Sequence, residues 1–389
     1  MKKNYLEYHF MASYIMVYLV IWTGYRYRMA EIGNGYLIAL AALAAVWLVV
    51  LLITKTSIKL PPWPWNYLAA ALATIVITIN SKYLAVSIYE LILWFTAAFI
   101  FILVINIAYY GGKKYITTAA LVTGLLFSLL KLSQAIQLLL LRTSECKQII
   151  ELPNKSAALL NLIMILALGV MIYEPGRRKI WPGIVAGLSA LAVLATGSRG
   201  GLLAAVASII VILAVSEYLG LTRLRKNKAL AAGALAGVIL LPLAAVYLLR
   251  PVGCSGVWDT NISTRPDLWK AALQIFIDNP VYGAGPGSFQ FVAGPLFDYH
   301  VTTIHAHSIY FNTAAERGLL GILAAGTLAI TVIIDLVKNR TDIRYISIGL
   351  AALTALAVHG LVDVPLVEPM AVRYLLIVIG LAISPGQKE

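Results

Sequence analysis

Long apolar runs constrain this chain more than any other feature of its sequence. They fall near residues 9–23, 36–53, 66–80, 86–110, 115–141, 156–173, 182–197, 200–219, 229–249, 315–337, 345–361 and 371–384. A helix advances only ~1.5 Å per residue, so crossing a hydrocarbon core of ~30 Å takes about 20 apolar residues. Twelve crossings need about 240, and 61% of the 389 residues are apolar, about 237. The expected fold is all-α, a polytopic transmembrane helical bundle of about 12 spans. An outer-membrane barrel is excluded, because its strands alternate in polarity and do not run apolar for a whole span. So are an ordinary soluble enzyme and a disordered chain, neither of which is as poor in charge as this one, with 12% charged residues. The runs divide the chain into a nine-span bundle (1–249), a long loop (250–314) and a three-span bundle (315–389).

The net charge of +13 is explained by topology before nucleic acid. Cytoplasmic loops of inner-membrane proteins collect Lys and Arg. With the N-terminus inside, alternate loops hold Lys2, Lys3; Lys55, Lys59; Lys113, Lys114; Arg177, Arg178, Lys179; Arg223, Arg225, Lys226, Lys228; Lys338, Arg340, Arg344; and Lys388. The opposite loops carry fewer basic residues and most of the acids, so both termini are expected in the cytoplasm and no nucleic-acid partner is needed. Lys2 and Lys3 before the first run resemble a signal sequence, but without a small-x-small cleavage site the run reads as an uncleaved span. Lys131, within the fifth run, is costly in lipid and is expected to face the protein interior or a break in the helix.

This orientation brings several polar features to the extracytoplasmic face. Ala195-Thr-Gly-Ser-Arg-Gly-Gly-Leu202 sets one arginine in a glycine-rich break. Arg199 there is either a bidentate holder of a lipid phosphate or a side chain snorkelling at the interface. Residues 265–278 read as an amphipathic helix, with Pro266 and Asp267 in its first turn and Asn279-Pro280 as its stop. Leu268, Ala271, Ala272, Ile275 and Phe276 share one face, and Trp269 anchors the helix at the interface. Arg265 sits at its N-terminus, where the dipole also favours an anion; the alternative is a simple surface arginine. Gly283-Ala-Gly-Pro-Gly287 reads as a tight turn rather than a phosphate nest, since no strand precedes it.

The block His305-Ala-His-Ser-Ile-Tyr-Phe-Asn-Thr-Ala-Ala-Glu-Arg-Gly-Leu-Leu-Gly321 leads into the tenth run. His305 and His307 suggest a metal, but no carboxylate or cysteine accompanies them at ligand spacing and His300 stands apart, so no metal site is expected. A neutral histidine at the water boundary either takes a proton from a hydroxyl or hydrogen-bonds at a helix start. His359 and Asp363, at the end of the eleventh run, face the same side and could shape a pocket for an acceptor or serve structure alone. Cys146 and Cys254, the two cysteines, both fall in outer loops, where an oxidising compartment permits either a bridge or two unpaired thiols. No Walker loop, Rossmann fingerprint, CxxC or HExxH is present, so no cofactor is expected.

Taken in order, Gly197-Ser-Arg-Gly200, Arg265-Pro-Asp-Leu-Trp269 with Asn279-Pro280 and Gly283-Ala-Gly-Pro-Gly287, and His307-Ser308 followed after nine residues by Gly318-Leu-Leu-Gly321 resemble the O-antigen ligase-like superfamily. That superfamily of polytopic glycosyltransferases includes Wzy-type polysaccharide polymerases. Trp269 stands where a leucine is frequent in the ligase pattern, and Ser308 where asparagine is commonest. The resemblance implies metal-independent transfer of a glycan from a polyprenyl diphosphate, such as undecaprenyl diphosphate, to a hydroxyl-bearing glycan or glycolipid at the outer face of the inner membrane. Arg199 and Arg265 would bind the diphosphate leaving group, and His307 would be the general base. Ligase and polymerase share this chemistry and differ in acceptor. A twelve-span flippase or transporter is the remaining alternative, but it would place ionisable residues at the midplane, whereas these lie at span ends.

Overall fold

The computed structural model describes residue 49 and residues 57–141, 153–218, 265–297, 303–338 and 343–384. Every regular element among them is helical. Ten long helices follow in order: α1 (Pro64–Ile79), α2 (Leu84–Ile107), α3 (Lys113–Leu141), α4 (Pro153–Tyr173), α5 (Ile180–Thr196), α6 (Arg199–Tyr218), α7 (Arg265–Asp278), α8 (Ile309–Lys338), α9 (Ile343–Gly360) and α10 (Pro369–Ile383). Nine of them coincide with apolar runs; the runs near 9–23 and 229–249, the run near 36–53 apart from residue 49, and Cys146, Cys254 and His300 lie outside the described residues. Among the described residues, five helical stretches are long and apolar enough to cross a membrane, and α1, α9 and α10 are shorter apolar helices.

One of those five stretches, Leu84–Gln137, is two helices. The chain reverses between them at Ala108–Gly112, where Gly111 takes φ 95°, a value glycine reaches without steric cost. Before the reversal Ile105 meets Ser384 at the end of α10, whereas after it Ala120 meets Tyr374 in the first half of α10. Each helix therefore has one end on each side of the bundle.

The centre is α4, whose residues Ser156–Ala167 are all buried against α3, α5, α6, α9 and α10. Small residues allow this close packing: a Cβ on Gly201 would come within 2.5 Å of Ala157. Around the outside, Leu72, Ile79, Leu191, Leu203, Leu323 and Ile330 are exposed. Apolar side chains turned outward along helices whose backbone bonds are satisfied internally fit hydrocarbon and not water. Lys131 is buried in an unbroken part of α3, donating to Gln134 Oε1 at 3.1 Å and lying over the Phe127 ring.

The two ends differ in polarity. At one, Lys113 and Lys338 lie over the rings of Tyr345 and Trp63, and Arg177, Arg178 and Lys179 form a short turn before α5. The other end gathers the start of α4, the α5–α6 turn, α7 and its trailing loop, the His305–His307 turn and the end of α9.

Candidate active site

The α5–α6 turn is built from its own sequence. Gly197 ends α5 in the left-handed region (φ 66°), as C-terminal glycines do. Ser198 caps α6, its Oγ accepting the Gly201 N–H at 3.1 Å and donating to Asn154 Oδ1 at 2.7 Å. Gly200 lies flush against the turn after α9, since a Cβ there would meet Val362 at 2.6 Å and His359 at 3.2 Å. Arg199, the residue before Gly200, is exposed.

Arg265 begins α7, which buries Leu268, Ala271, Ala272 and Ile275 while Trp269 stacks on Phe311 of α8 at 5.4 Å. The loop behind α7 is stitched to α8 by four backbone bonds: Ala284 N–H to Ala315 O, Gly285 N–H to Glu316 O, Leu319 N–H to Pro280 O and Leu320 N–H to Val281 O, all 2.8–3.1 Å. They are possible because α8 breaks at Gly318 (φ 61°, ψ −162°), freeing backbone groups that a regular helix would use internally. Gly283 and Gly318 each meet the other segment backbone to backbone. The glycine-rich loop is thus a structural clamp, and α8 starts at Ile309, six residues before the apolar run.

The histidine turn converges on one carboxylate. Asp363 Oδ1 accepts the Val364 N–H at 2.8 Å and lies 3.3 Å from His307 Nδ1 and 3.9 Å from His305 Nε2. Burial alone would raise the Asp363 carboxyl, yet the two imidazoles beside it and the Val364 N–H hold it well below the usual carboxylate range. Burial, reinforced by His307, pushes His305 down to about 4, so its ring is neutral at physiological pH. Its Nδ1 accepts the His307 backbone N–H at 3.2 Å, which leaves the ring proton on Nε2, facing Asp363. The His307 side chain is 31% exposed against 8% for His305, so His307 is the more accessible of the two imidazoles. Its φ of 49° is rare for a residue with a Cβ, the kind of strain that clusters at functional sites.

Sequence spacing had supplied these histidines with no carboxylate, and the fold corrects that premise: Asp363 arrives from the far end of α9. Ligand atoms of His305, His307 and Asp363 all lie within 4.8 Å of one another, a grouping able to hold a metal ion. Ligation through His305 Nε2 would displace its proton and turn Nδ1 into a donor facing the His307 N–H, so the arrangement suits a histidine–carboxylate pair better than a ligand set.

Five described side chains in this region have buried polar atoms without a hydrogen-bond partner: Arg265 Nε, Trp269 Nε1, His359 Nδ1 and Nε2, Asn161 Oδ1, and His307 Nδ1, which lies 3.3 Å from Asp363 Oδ1 as an ion-pair contact. Arg265 and Asp363 lie close enough to His359 for their charges to act on it, and His359 and Asn161 line one cavity of about 20 Å³, room for a single water. Unsatisfied groups of this kind are uncommon in folded proteins and mark places where a ligand or water belongs. Sequence reasoning missed Asn312 and Glu316, although a buried carboxylate within an apolar run is a recognisable signal.

Fold and site together define an integral membrane protein with His305, His359 and Asp363 buried, and Arg265 and His307 partly exposed, at one end of its bundle. Residues 184–326 match the family model described as O-antigen ligase, and that match supports placing them in the O-antigen ligase-like superfamily. The matched segment runs from α5 into α8 and includes Arg199, Arg265, His305 and His307; His359 and Asp363 lie beyond it. No curated protein matches the chain.

Proposed function

We propose that this protein is a metal-independent glycosyltransferase of the O-antigen ligase type, moving a glycan from a polyprenyl diphosphate to an acceptor hydroxyl at the extracytoplasmic face. The observation that carries the proposal is the pairing of His307 with buried Asp363 on the same end of the bundle as Arg265, whose Nε is unsatisfied. With Nδ1 turned to Asp363, His307 keeps Nε2, on the far edge of the ring, for the acceptor hydroxyl. As the hydroxyl oxygen attacks the anomeric carbon, its proton passes to Nε2 and Asp363 stabilises the imidazolium that forms. The bond from that carbon to the diphosphate oxygen breaks, and the negative charge appearing on the diphosphate is met by Arg265 and Arg199. Single displacement at the anomeric carbon inverts its configuration. The basic clusters of the opposite end, Lys113, Lys114, Arg177–Lys179 and Lys338, support the orientation in which that end is cytoplasmic.

A Wzy-type polymerase would use the same chemistry with a growing polymer as acceptor. Surface glycans of a null strain, scored for both chain length and attachment, test the proposal. Full-length polymer left on its lipid carrier is the expected result for a ligase. Single repeat units would make the protein a polymerase, and loss of surface glycan with carrier-linked units trapped inside would overturn the transferase proposal.

A further inference from the structure

One buried polar chain ties the histidine turn to the loop behind the Arg265 helix. The Ala306 N–H, between the two histidines, donates to Asn312 Oδ1 at 3.1 Å. Asn312 Nδ2 donates to Glu316 Oε2 at 3.0 Å, and Glu316 Oε1 accepts the Phe289 N–H at 3.1 Å. Ala306 and Phe289 are fully buried, and Asn312 and Glu316 nearly so, at 8% and 5%. Water is thus poorly placed to substitute for a missing partner, and a buried donor without an acceptor is costly.

The chemistry of the chain runs one way only. Both ends are backbone N–H groups, which can only donate. Two acceptors must face them, and the single link between Asn312 and Glu316 needs one donor. An amide beside a carboxylate meets this requirement; two amides or two ionised carboxylates do not. The order can be reversed, however: an aspartate at 312 and a glutamine at 316 would accept at both ends and donate once between them, with the same net charge.

We infer that Asn312 and Glu316 are positioning residues for transfer, holding the strained His307 backbone at a fixed distance from the loop that trails the Arg265 helix. This rests on the reading of His307 as the base. The helix itself is held independently, by its buried face and the Trp269–Phe311 stack, so loss of the polar chain moves the base and leaves the arginine in place. Displacements of about 1 Å at a reacting group can cost on the order of 100-fold in rate.

The test is a polarity swap read by steady-state transfer from a purified lipid diphosphate-linked donor in detergent, with thermal unfolding on the same samples. Glu316→Gln and Asn312→Asp should each lower kcat by roughly 10- to 100-fold while the donor KM stays within about twofold. The double variant N312D/E316Q should return kcat to within about threefold of the original, since its chain is again fully paired. Single variants with unchanged kcat would overturn the inference, as would a double variant as slow as the worse single. A fall in kcat matched by a rise in donor KM and a loss of thermal stability would also overturn it, leaving a purely structural role. Should a single variant not fold, the double must both fold and transfer; a double that does neither, or folds without activity, refutes the pairing. His307→Ala serves as the separate control: if it remains active, the assignment of the base fails, independently of the outcome at 312 and 316.

Discussion

Replacing Asp363 with asparagine isolates the charge of the His307–Asp363 pair from its geometry. Asp363 Oδ1 receives the Val364 N–H at 2.8 Å and faces both histidines. Because an N–H needs an acceptor, the substituted side chain is expected to keep its carbonyl oxygen in that position, and His307 keeps its orientation. What disappears is the negative charge 3.3 Å from Nδ1. Two unit charges at that distance, at an effective dielectric of ~20, attract by about 5 kcal/mol. With the imidazolium about half formed in the transition state, about 2.5 kcal/mol is lost, roughly 70-fold in rate. Asp363→Ala also removes the orientation, and its loss should approach the ~10²–10⁴-fold typical of a missing general base. The assay is single-turnover transfer from a labelled lipid diphosphate donor, with folding checked by size exclusion. An Asp363→Asn variant within threefold of the original protein would show that no charge builds on His307, and the base would have to be sought elsewhere.

Arg265→Ala and Arg199→Ala are each expected to lower transfer by at least ~10²-fold, as loss of one preorganised charge donor does; near-normal activity in either folded variant removes that arginine from the diphosphate site. Activity should survive EDTA, and rescue by an added metal after chelation would replace the dyad with the ligand set that His305, His307 and Asp363 are also able to form. Gly318→Ala should cost about 3–5 kcal/mol, from backbone strain at φ 61° and loss of bonds to the 280–285 loop, and an unchanged thermal midpoint would contradict the clamp. Acid should weaken the fold through His305, whose ring is held at about 4 against 6.5 when unfolded. The unfolded chain takes up the proton first, so this contribution is complete above pH ~6.5 and fades as pH falls toward 4, by on the order of 3 kcal/mol. The depressed carboxyl of Asp363 adds its own loss only below about pH 4. Thermal unfolding at pH 7 and 4.5 should show a smaller acid loss in His305→Gln, and an equal loss would refute the assignment.

Hydropathy alone was enough to locate the helices α1–α6 and α8–α10, because a span must be apolar along its whole length whatever it packs against. The face of α7 was readable too, since Leu268, Ala271, Ala272 and Ile275 recur at helical spacing and are buried. The arginines and His307 stood out through residue type and order. The gap between the runs 86–110 and 115–141, with Lys113 and Lys114 beside it, already pointed to the reversal at Ala108–Gly112. The sequence could not show that α8 breaks at Gly318 and hands its freed backbone to the loop behind α7, which depends on which backbone groups find partners across space. Nor could it pair Asp363 with a histidine 56 residues earlier, assign His305 a neutral ring, or join Ala306 to Phe289 through Asn312 and Glu316. Local sequence sets which segments leave water, whereas the meeting of distant polar groups is decided by helix packing, because only there does each buried donor find, or lack, its acceptor.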